Sequence, residues 1–258
     1  MAIQSTRVTP RVYPFVAWPR LKAAIEWRQG QHVFCCGGTG SGKTTVSGEM
    51  LPYRQQVVLC VSKGFDVIFE GPYFSNYIRI DRWPPPRGRP GKPPPDKVLL
   101  WPRNQKTLKE TKLHKTEIFS ATFDNILLVR GNWCIGIDET HYMSETLKLS
   151  GEITDLMEQG RSAGISMWNN TQRPSGIPLS IYVNSSHAFL FQAQEEYDVD
   201  RLKRMVNKYT NAAEMVWNLN RLDSIANHEF IYVDRSGRIP PVRSIVTKKG
   251  SVRGTGKR

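Results

Sequence analysis

Short apolar runs alternate with amphipathic or polar stretches through the first two-thirds of the chain. Residues 31–36, 56–61 and 133–137 are apolar and contain several β-branched side chains, as is typical of strands covered on both faces of a parallel sheet. Residues 44–50 and 111–132 favour helices, and in the second segment apolar residues recur at spacings of three and four. This alternation predicts an α/β fold with a mostly parallel sheet flanked by helices.

Further elements extend this pattern to the end of the chain. We expect strands at 97–101, 165–168 and 229–233, and helices at 21–27, 144–160, 194–206 and 212–219. The segment 83–95 interrupts the alternation, because its prolines exclude a helix or a central strand. Two roles stay open for this basic loop: contact with nucleic-acid phosphates, or a stiff spacer between sheet elements.

The turn after the first strand carries the most specific motif. It fits the phosphate-loop pattern G-x-x-x-x-G-K-[ST] at every fixed position, and it lies between a predicted strand and a predicted helix. Glycines let the backbone curl tightly, so that several N–H groups point at one phosphate. The loop residues are Gly37, Gly38, Thr39, Gly40, Ser41, Gly42, Lys43, Thr44 and Thr45.

From the side chains of two loop residues we predict how a nucleoside triphosphate is bound. Lys43 supplies a compact cation for the β- and γ-phosphates, and the hydroxyl of Thr44 is a ligand for Mg²⁺. The helix that begins here adds partial positive charge at its N-terminus.

A second motif ends the strand 133–137, where Asp138 and Glu139 are adjacent. In phosphate-loop ATPases an acid at this position holds Mg²⁺, directly or through water. The following acid can act as a general base on the attacking water. We therefore assign Asp138 to the metal and Glu139 to the water.

The second acid also separates classes of phosphate-loop protein. A nucleoside kinase delivers phosphate to a bound hydroxyl and often lacks this acid. GTPases usually read guanine with N-K-x-D, whereas residues 207–210 read N-K-Y-T. Hydrolysis of ATP, with Mg²⁺ as the metal, is therefore favoured.

A third motif follows the strand predicted at 165–168. Thr171 and Gln172 come at its carboxyl end, and carboxyl ends of parallel strands face the ligand crevice. If this strand lies beside the phosphate-loop strand, the Gln172 amide reaches the γ-phosphate or the attacking water. Gln172 would then sense the state of the nucleotide.

The run R-S-A-G-I…T-Q-R-P-S, downstream of the other two motifs, resembles the HerA/FtsK superfamily of DNA-pumping ATPases. The resemblance covers residues 31–192. It implies a RecA-like P-loop NTPase fold of the ASCE class, with an extra strand between the phosphate-loop strand and the Asp-Glu strand. It also implies a homo-oligomeric ring, a pentamer or hexamer, with ATP sites between neighbouring subunits.

In such rings an arginine of the adjacent subunit commonly stabilises the transferring phosphoryl group. Arg161 matches the family's arginine before A-G-I and is the first candidate, and Arg173 is the second. We expect the protein to differ from chromosome translocases in having neither their membrane segments nor their DNA-orienting C-terminal domain. Its compact size is more similar to viral DNA-packaging members, which adds a portal or capsid as an expected partner.

Composition then indicates the cargo. The chain has 258 residues and a formal net charge of +13, which favours a polyanionic partner, nucleic acid first. We expect a leader at 1–30, an ATPase domain at 31–234 and a basic tail at 235–258. Three roles stay open for this tail: it binds DNA backbone, contacts another protein, or is solvated. The basic residues of this tail are Arg235, Arg238, Arg243, Lys248, Lys249, Arg253, Lys257 and Arg258.

The remaining sequence features concern the compartment. Four cysteines lie in apolar runs without metal-ligand spacing, so buried thiols are expected rather than disulfides or a zinc site. No apolar run approaches the length of a membrane span, and no secretory signal is present. We therefore expect a cytoplasmic protein, in the host cytoplasm if it is viral, with transient association with virions.

The function expected from these features is ATP-driven translocation of double-stranded DNA, as in a viral genome-packaging motor. DNA would be gripped through its backbone, because a motor must advance on any sequence. Three alternatives stay open: a virion assembly or export ATPase, a helicase, and a nucleotide kinase.

Overall fold

The computed structural model describes residues 10–85, 95–192, 196–206, 211–222 and 227–247. Within them a nine-stranded sheet is flanked by helices. The strands are β1 His32–Cys36, β2 Gln56–Cys60, β3 Ile78–Ile80, β4 Lys97–Leu100, β5 Trp133–Ile137, β6 Ser166–Thr171, β7 Ser185–Phe191, β8 Glu229–Asp234 and β9 Val242–Ile245. The helices are α1 Trp18–Ala24, α2 Lys43–Met50, α3 Leu108–Val129, α4 Ser150–Gln159, α5 Leu179–Asn184, α6 Glu196–Val206 and α7 Ala212–Leu219.

The strand order is β3-β4-β2-β5-β6-β1-β7-β8-β9. All pairs from β3 to β7 are parallel, and β8 and β9 are added by antiparallel pairing. The α/β fold with a mostly parallel sheet is therefore confirmed. Strand β6 separates the phosphate-loop strand β1 from the Asp-Glu strand β5, which is the extra strand that the family resemblance implied.

Alternate residues of the central strands face two separate cores. In β1, Val33 and Cys35 pack against α1, α2 and the segment 67–77, while Phe34 and Cys36 face α3 to α7. All five side chains of β1 are buried. This burial on both faces explains the continuous apolar runs in the sequence. The four cysteines are free and buried, as expected.

The helix predicted at 111–132 begins earlier, at Leu108. A capping box starts it: the Thr107 hydroxyl accepts a hydrogen bond from the backbone N–H of Glu110, and the Glu110 carboxylate accepts one from the N–H of Thr107. The helix ends at Val129, before Arg130 and Gly131 adopt positive φ angles of 58° and 135°.

The single helix predicted at 144–160 is divided in the structure. Residues Tyr142–Thr146 form a π-helical turn, and α4 begins only at Ser150. Lys148 has a φ of 59°, which breaks the helix between the two segments. The break buries both Leu147 and Leu149 in the core.

The end of the chain differs from the basic tail that we expected. Val242–Ile245 forms β9, so the folded domain continues beyond residue 234. Arg235 donates hydrogen bonds to the carbonyls of Val183 and Ser185, at 2.9 and 2.8 Å. Arg238 and Arg243 form ion pairs with Glu26 and Glu229, respectively. These three arginines therefore bind within the chain, and the rest of the tail, 248–258, lies outside the described residues.

The proline-rich loop also lies mostly outside the described residues, which stop at 85 and resume at 95. The strand expected after it is present as β4, and β3 before it was not predicted. In the part of the chain that the structure describes, no helix combines the length and hydropathy of a membrane span.

Phe189 lies at the centre of an aromatic cluster with Trp18, Trp168, Phe230 and Tyr232. Because it is fully buried, Phe189→Ala should lower the free energy of unfolding by about 3–5 kcal/mol in urea denaturation. Phe65 is 70% exposed, so Phe65→Ala should change it by no more than about 0.5 kcal/mol. Equal losses in the two variants would contradict this assignment of the core.

Candidate active site

Three neighbouring strands end at the candidate active site. The phosphate loop follows β1, Gln172 follows β6, and Asp138 and Glu139 follow β5. Because these strands are parallel and adjacent in the sheet, their carboxyl ends meet at one edge. The three motifs, separated by up to about 130 residues in sequence, are thereby brought together.

Two glycines of the loop are required by close contacts. A Cβ atom on Gly37 would lie 2.4 Å from Cβ of Phe191 on β7. Gly42, at the N-cap of α2, has a φ of 106°, and a Cβ there would lie 3.1 Å from Cβ of His228. Only glycine adopts this positive φ readily and also leaves room for the His228 side chain. The chain just before β8 therefore packs directly against the loop.

Lys43 is folded back onto the loop that contains it. Its ammonium donates hydrogen bonds to the carbonyl oxygens of Gly37 at 2.5 Å and Gly38 at 2.9 Å. Burial lowers the pKa of Lys43, and the nearby Cys35 and Glu139 act in the opposite direction. The carbonyls of the phosphate loop thus hold this cation within the loop itself.

Asp138 is buried and is oriented by Ser62, the second residue after β2. Its Oδ1 accepts hydrogen bonds from the backbone N–H of Ser62 at 3.0 Å and from the Ser62 hydroxyl at 2.8 Å. Burial raises the pKa of Asp138 to about 6, although the two Ser62 hydrogen bonds act to lower it. The fold therefore holds a desolvated carboxyl at this edge at an energetic cost.

Glu139 is linked to the end of β6. Its Oε1 accepts hydrogen bonds from the Thr171 hydroxyl at 3.3 Å and from the backbone N–H of Gln172 at 3.2 Å. The Gln172 side-chain oxygen in turn accepts a hydrogen bond from the Thr39 hydroxyl, at 2.9 Å. One continuous chain of hydrogen bonds thus joins the phosphate loop, Gln172 and Glu139.

A buried polar network fixes β6 against the loop helix α2. Ser47 on α2 and Asn170 on β6 exchange hydrogen bonds at 3.0 and 3.1 Å. The Asn170 oxygen also accepts from the indole N–H of Trp168, at 2.9 Å. Because buried polar groups must be satisfied, this network specifies how the strand with Gln172 sits beside the helix.

The residues at this edge fit Mg²⁺. Asp138 Oδ2 is buried and has no hydrogen-bond partner within the described part of the chain, so it is open to a cation or a cation-bound water. Thr44, the first residue after Lys43, is partly exposed. A hydroxyl and a carboxylate are the hard oxygen ligands that Mg²⁺ takes together with substrate phosphates.

The two candidate arginines lie beyond opposite ends of the central strand β6. Arg173 is exposed and follows Gln172 at the edge that carries the motifs. Arg161 is exposed and precedes β6, where its backbone approaches Gly30. The six residues of β6 span about 20 Å, so Arg161 is remote from the phosphate loop of its own chain.

Sequence reasoning missed several residues at this edge. Ser62 could have been found, because it follows a buried strand and carboxyl ends of parallel strands share an edge. The contact of His228 with Gly42 had no such signal, because it joins positions far apart through an antiparallel addition to the sheet.

No protein-family model matches the chain, and no curated protein sequence matches it. Solved structures do. The genome-packaging NTPase B204 of Sulfolobus turreted icosahedral virus 2, in complex with AMPPCP, superimposes with a TM-score of 0.53 at 14% identity, covering 84% of this chain and 97% of B204. Its sulfate complex gives a TM-score of 0.55 at 15% identity, covering 87% and 100%. The chain has the fold of this packaging NTPase.

The related B204 of Sulfolobus turreted icosahedral virus, described as a DNA-packaging ATPase, gives a TM-score of 0.51 at 16% identity, covering 86% of this chain and 98% of that protein. The fold that the resemblance to the HerA/FtsK superfamily implied is therefore confirmed. The similarity extends over nearly the whole length of these proteins rather than over the phosphate loop alone.

The raised pKa of Asp138 predicts a stability cost at neutral pH. Between about pH 4 and 6 the native state retains a proton that the unfolded chain has released, so stability falls as pH rises through this window. Without nucleotide and Mg²⁺, Asp138→Asn should therefore raise the free energy of unfolding at pH 7.5 by about 3 kcal/mol.

This gain should shrink below about pH 6 and vanish near pH 4, in urea unfolding followed across pH. Asp155 on α4 is exposed, so Asp155→Asn serves as the matched control and should change stability by no more than about 0.5 kcal/mol. A destabilised Asp138→Asn protein at pH 7.5 would show that the carboxylate is not strained by burial.

Proposed function

We propose that the protein is an ATP-hydrolysing translocase of double-stranded DNA and serves as a subunit of a viral genome-packaging motor. The observation that carries this proposal is the hydrogen-bonded convergence of Thr39, Gln172 and Glu139 beside Asp138 at one sheet edge. A phosphate loop alone supports nucleotide binding. The acids Asp138 and Glu139 support hydrolysis. The amide of Gln172, at the end of β6, supports detection of the nucleotide state.

The phosphate loop binds the triphosphate of ATP through its backbone N–H groups and the N-terminus of α2. Lys43 exchanges its two loop carbonyls for the β- and γ-phosphate oxygens. Thr44 and the Asp138 oxygen that lacks a hydrogen-bond partner among the described residues would hold Mg²⁺, and the ion would neutralise developing charge on the phosphates. Ser62 keeps Asp138 oriented throughout.

Glu139 accepts a proton from the attacking water. In the present geometry its carboxylate is bound to Thr171 and to the Gln172 backbone, so it must be partly released to reach a water. The Gln172 amide, now bonded to Thr39, turns to the γ-phosphate when the loop is filled. Binding of the γ-phosphate and freeing of Glu139 are thus linked through the end of β6.

Arg161 completes the site of the adjacent subunit in a homo-oligomeric ring, a pentamer or hexamer. Arg161 lies at the end of the sheet opposite the phosphate loop, so it is remote from the ATP site of its own subunit. This position supports action on the site of a neighbouring subunit. Arg173 is the second candidate for the same role. A ring also suits a motor, because the state of one site is then felt by its neighbour.

The cargo is double-stranded DNA, bound through its backbone. The net charge of +13 and the packaging role in the names of the structural neighbours support this cargo. The protein acts in the cytoplasm of an infected cell, associates transiently with the virion and docks on a portal or capsid.

The direct test is ATP turnover with and without double-stranded DNA. We expect DNA to stimulate turnover without strand separation, which would exclude a helicase and a nucleotide kinase. Glu139→Gln should keep ATP affinity while lowering turnover by about 10²–10⁴-fold, because general-base catalysis is lost. Absence of stimulation in an assembled ring would instead favour a virion assembly or export ATPase.

Mixing two inactive variants tests the trans arginine. Lys43→Ala removes the lysine that binds the phosphates of ATP in its own subunit. Arg161→Ala removes the arginine that completes the site of the adjacent subunit. In mixed rings, sites that pair an intact loop with an intact arginine should recover a measurable share of wild-type turnover. Fully active rings of Arg161→Ala alone would rule out Arg161, and the same pairing with Arg173→Ala would then test the second candidate.

A further inference from the structure

A second cavity opens beside the candidate active site, at the carboxyl ends of β2 and β4. Its volume is about 470 Å³, and its walls are the turn after β2, the segment 104–107 and the first two turns of α3. Glu139 and Tyr142 form the side towards the active site. The phosphate loop does not line it, so the cavity adjoins the nucleotide site on the side of Glu139 and does not coincide with it.

The cavity is strongly basic. Four lysines line it, against the single carboxylate of Glu139: Lys63, Lys106, Lys112 and Lys115. Lys63 forms an ion pair with Asp66 at 2.8 Å. Lys106 and Lys112 are exposed, and neither has an ion pair among the described residues. Two cations therefore face the cavity uncompensated.

Lys115 links the cavity to the active site. It is only 3% exposed, and its ammonium donates a hydrogen bond to the carbonyl of Ser62 at 2.8 Å. Ser62 is the residue whose N–H and hydroxyl orient Asp138. Burial lowers the pKa of Lys115, which shows that the fold keeps this cation at a cost. An anion in the cavity would act on Asp138 through two contacts.

The chemistry of the lining selects a phosphate group. Lysine ammoniums, the hydroxyl of Thr107 and the amides of Asn104 and Gln105 offer hydrogen-bond donors to an anion. The cavity is open to solvent, as a polymer that passes across it would need. The three described arginines of the expected DNA-binding tail bind within the chain, so among the described residues the cavity lysines are the better candidates for a DNA contact.

We propose that this lysine-lined cavity binds a backbone phosphodiester of nucleic acid and that its occupancy is communicated to Asp138 through Lys115 and Ser62. The inference rests on the proposed function and names the place where the DNA backbone meets the catalytic edge. Free inorganic phosphate shares the same chemistry, so the experiment must separate these two sources.

The experiment compares Lys112→Gln with Lys109→Gln in the full-length protein. Both lysines are exposed on α3, but only Lys112 lines the cavity. Binding to a 30-base-pair duplex is followed by fluorescence anisotropy over a range of salt concentrations. Lys112→Gln should reduce the salt slope by about 1 and weaken binding about tenfold at 0.1 M salt. It should also reduce DNA-stimulated turnover while leaving DNA-independent turnover unchanged, and Lys109→Gln should behave as wild type.

Each result is decisive. If wild-type protein neither binds the duplex nor is stimulated by it, the proposed function itself fails. If wild type responds but Lys112→Gln responds equally, or if both variants lose affinity equally, the cavity is not the DNA contact. If Lys112→Gln changes only inhibition by added inorganic phosphate, the occupant is the free anion and the assignment to nucleic acid is overturned.

Discussion

The parallel alignment of β5, β6 and β1 is the constraint on which the rest of the site depends. Strands that run in the same direction deliver their carboxyl ends to one edge, so three distant motifs become neighbours. Strand β6 occupies the middle position, and its last residues contact both sides. Thr39 bonds to Gln172, and Gln172 bonds to Glu139. Removing β6 from the centre would leave the loop and the acids without a common partner.

Much of this arrangement could be predicted, because it depends on patterns among residues that are close together in the sequence. Burial of β1 on both faces produces a continuous apolar run, and the phosphate loop requires glycines that few other structures require. Asp138 and Gln172 follow their strands directly, so their edge is defined as soon as the sheet is known to be parallel. The predicted helix began three residues later than α3, whose N-terminus is capped by Thr107 and Glu110.

What could not be predicted depends on tertiary contacts. The left-handed backbone of Lys148 divides a segment that reads as one amphipathic helix, because burial of Leu147 and Leu149 outweighs local helix preference. The basic residues after 234 are typical of a tail, yet Arg238 pairs with Glu26 from the start of the chain and Arg243 pairs with Glu229 on the neighbouring strand β8. Charge patterns show that a residue is basic but not which partner neutralises it. Lys106 and Lys112 in the cavity show the converse, since neither forms an ion pair among the described residues.

In the proposed function, an ATP site, a strained carboxyl and a basic cavity act together in a motor that moves along DNA. The most direct measurement of that claim is displacement of a triplex-forming oligonucleotide from a long duplex. Wild-type protein should displace the third strand only when ATP and Mg²⁺ are present, with the duplex left intact, and Lys43→Ala should displace none. Displacement that is independent of ATP, or rapid ATP turnover on the same duplex with the triplex left in place, would contradict translocation.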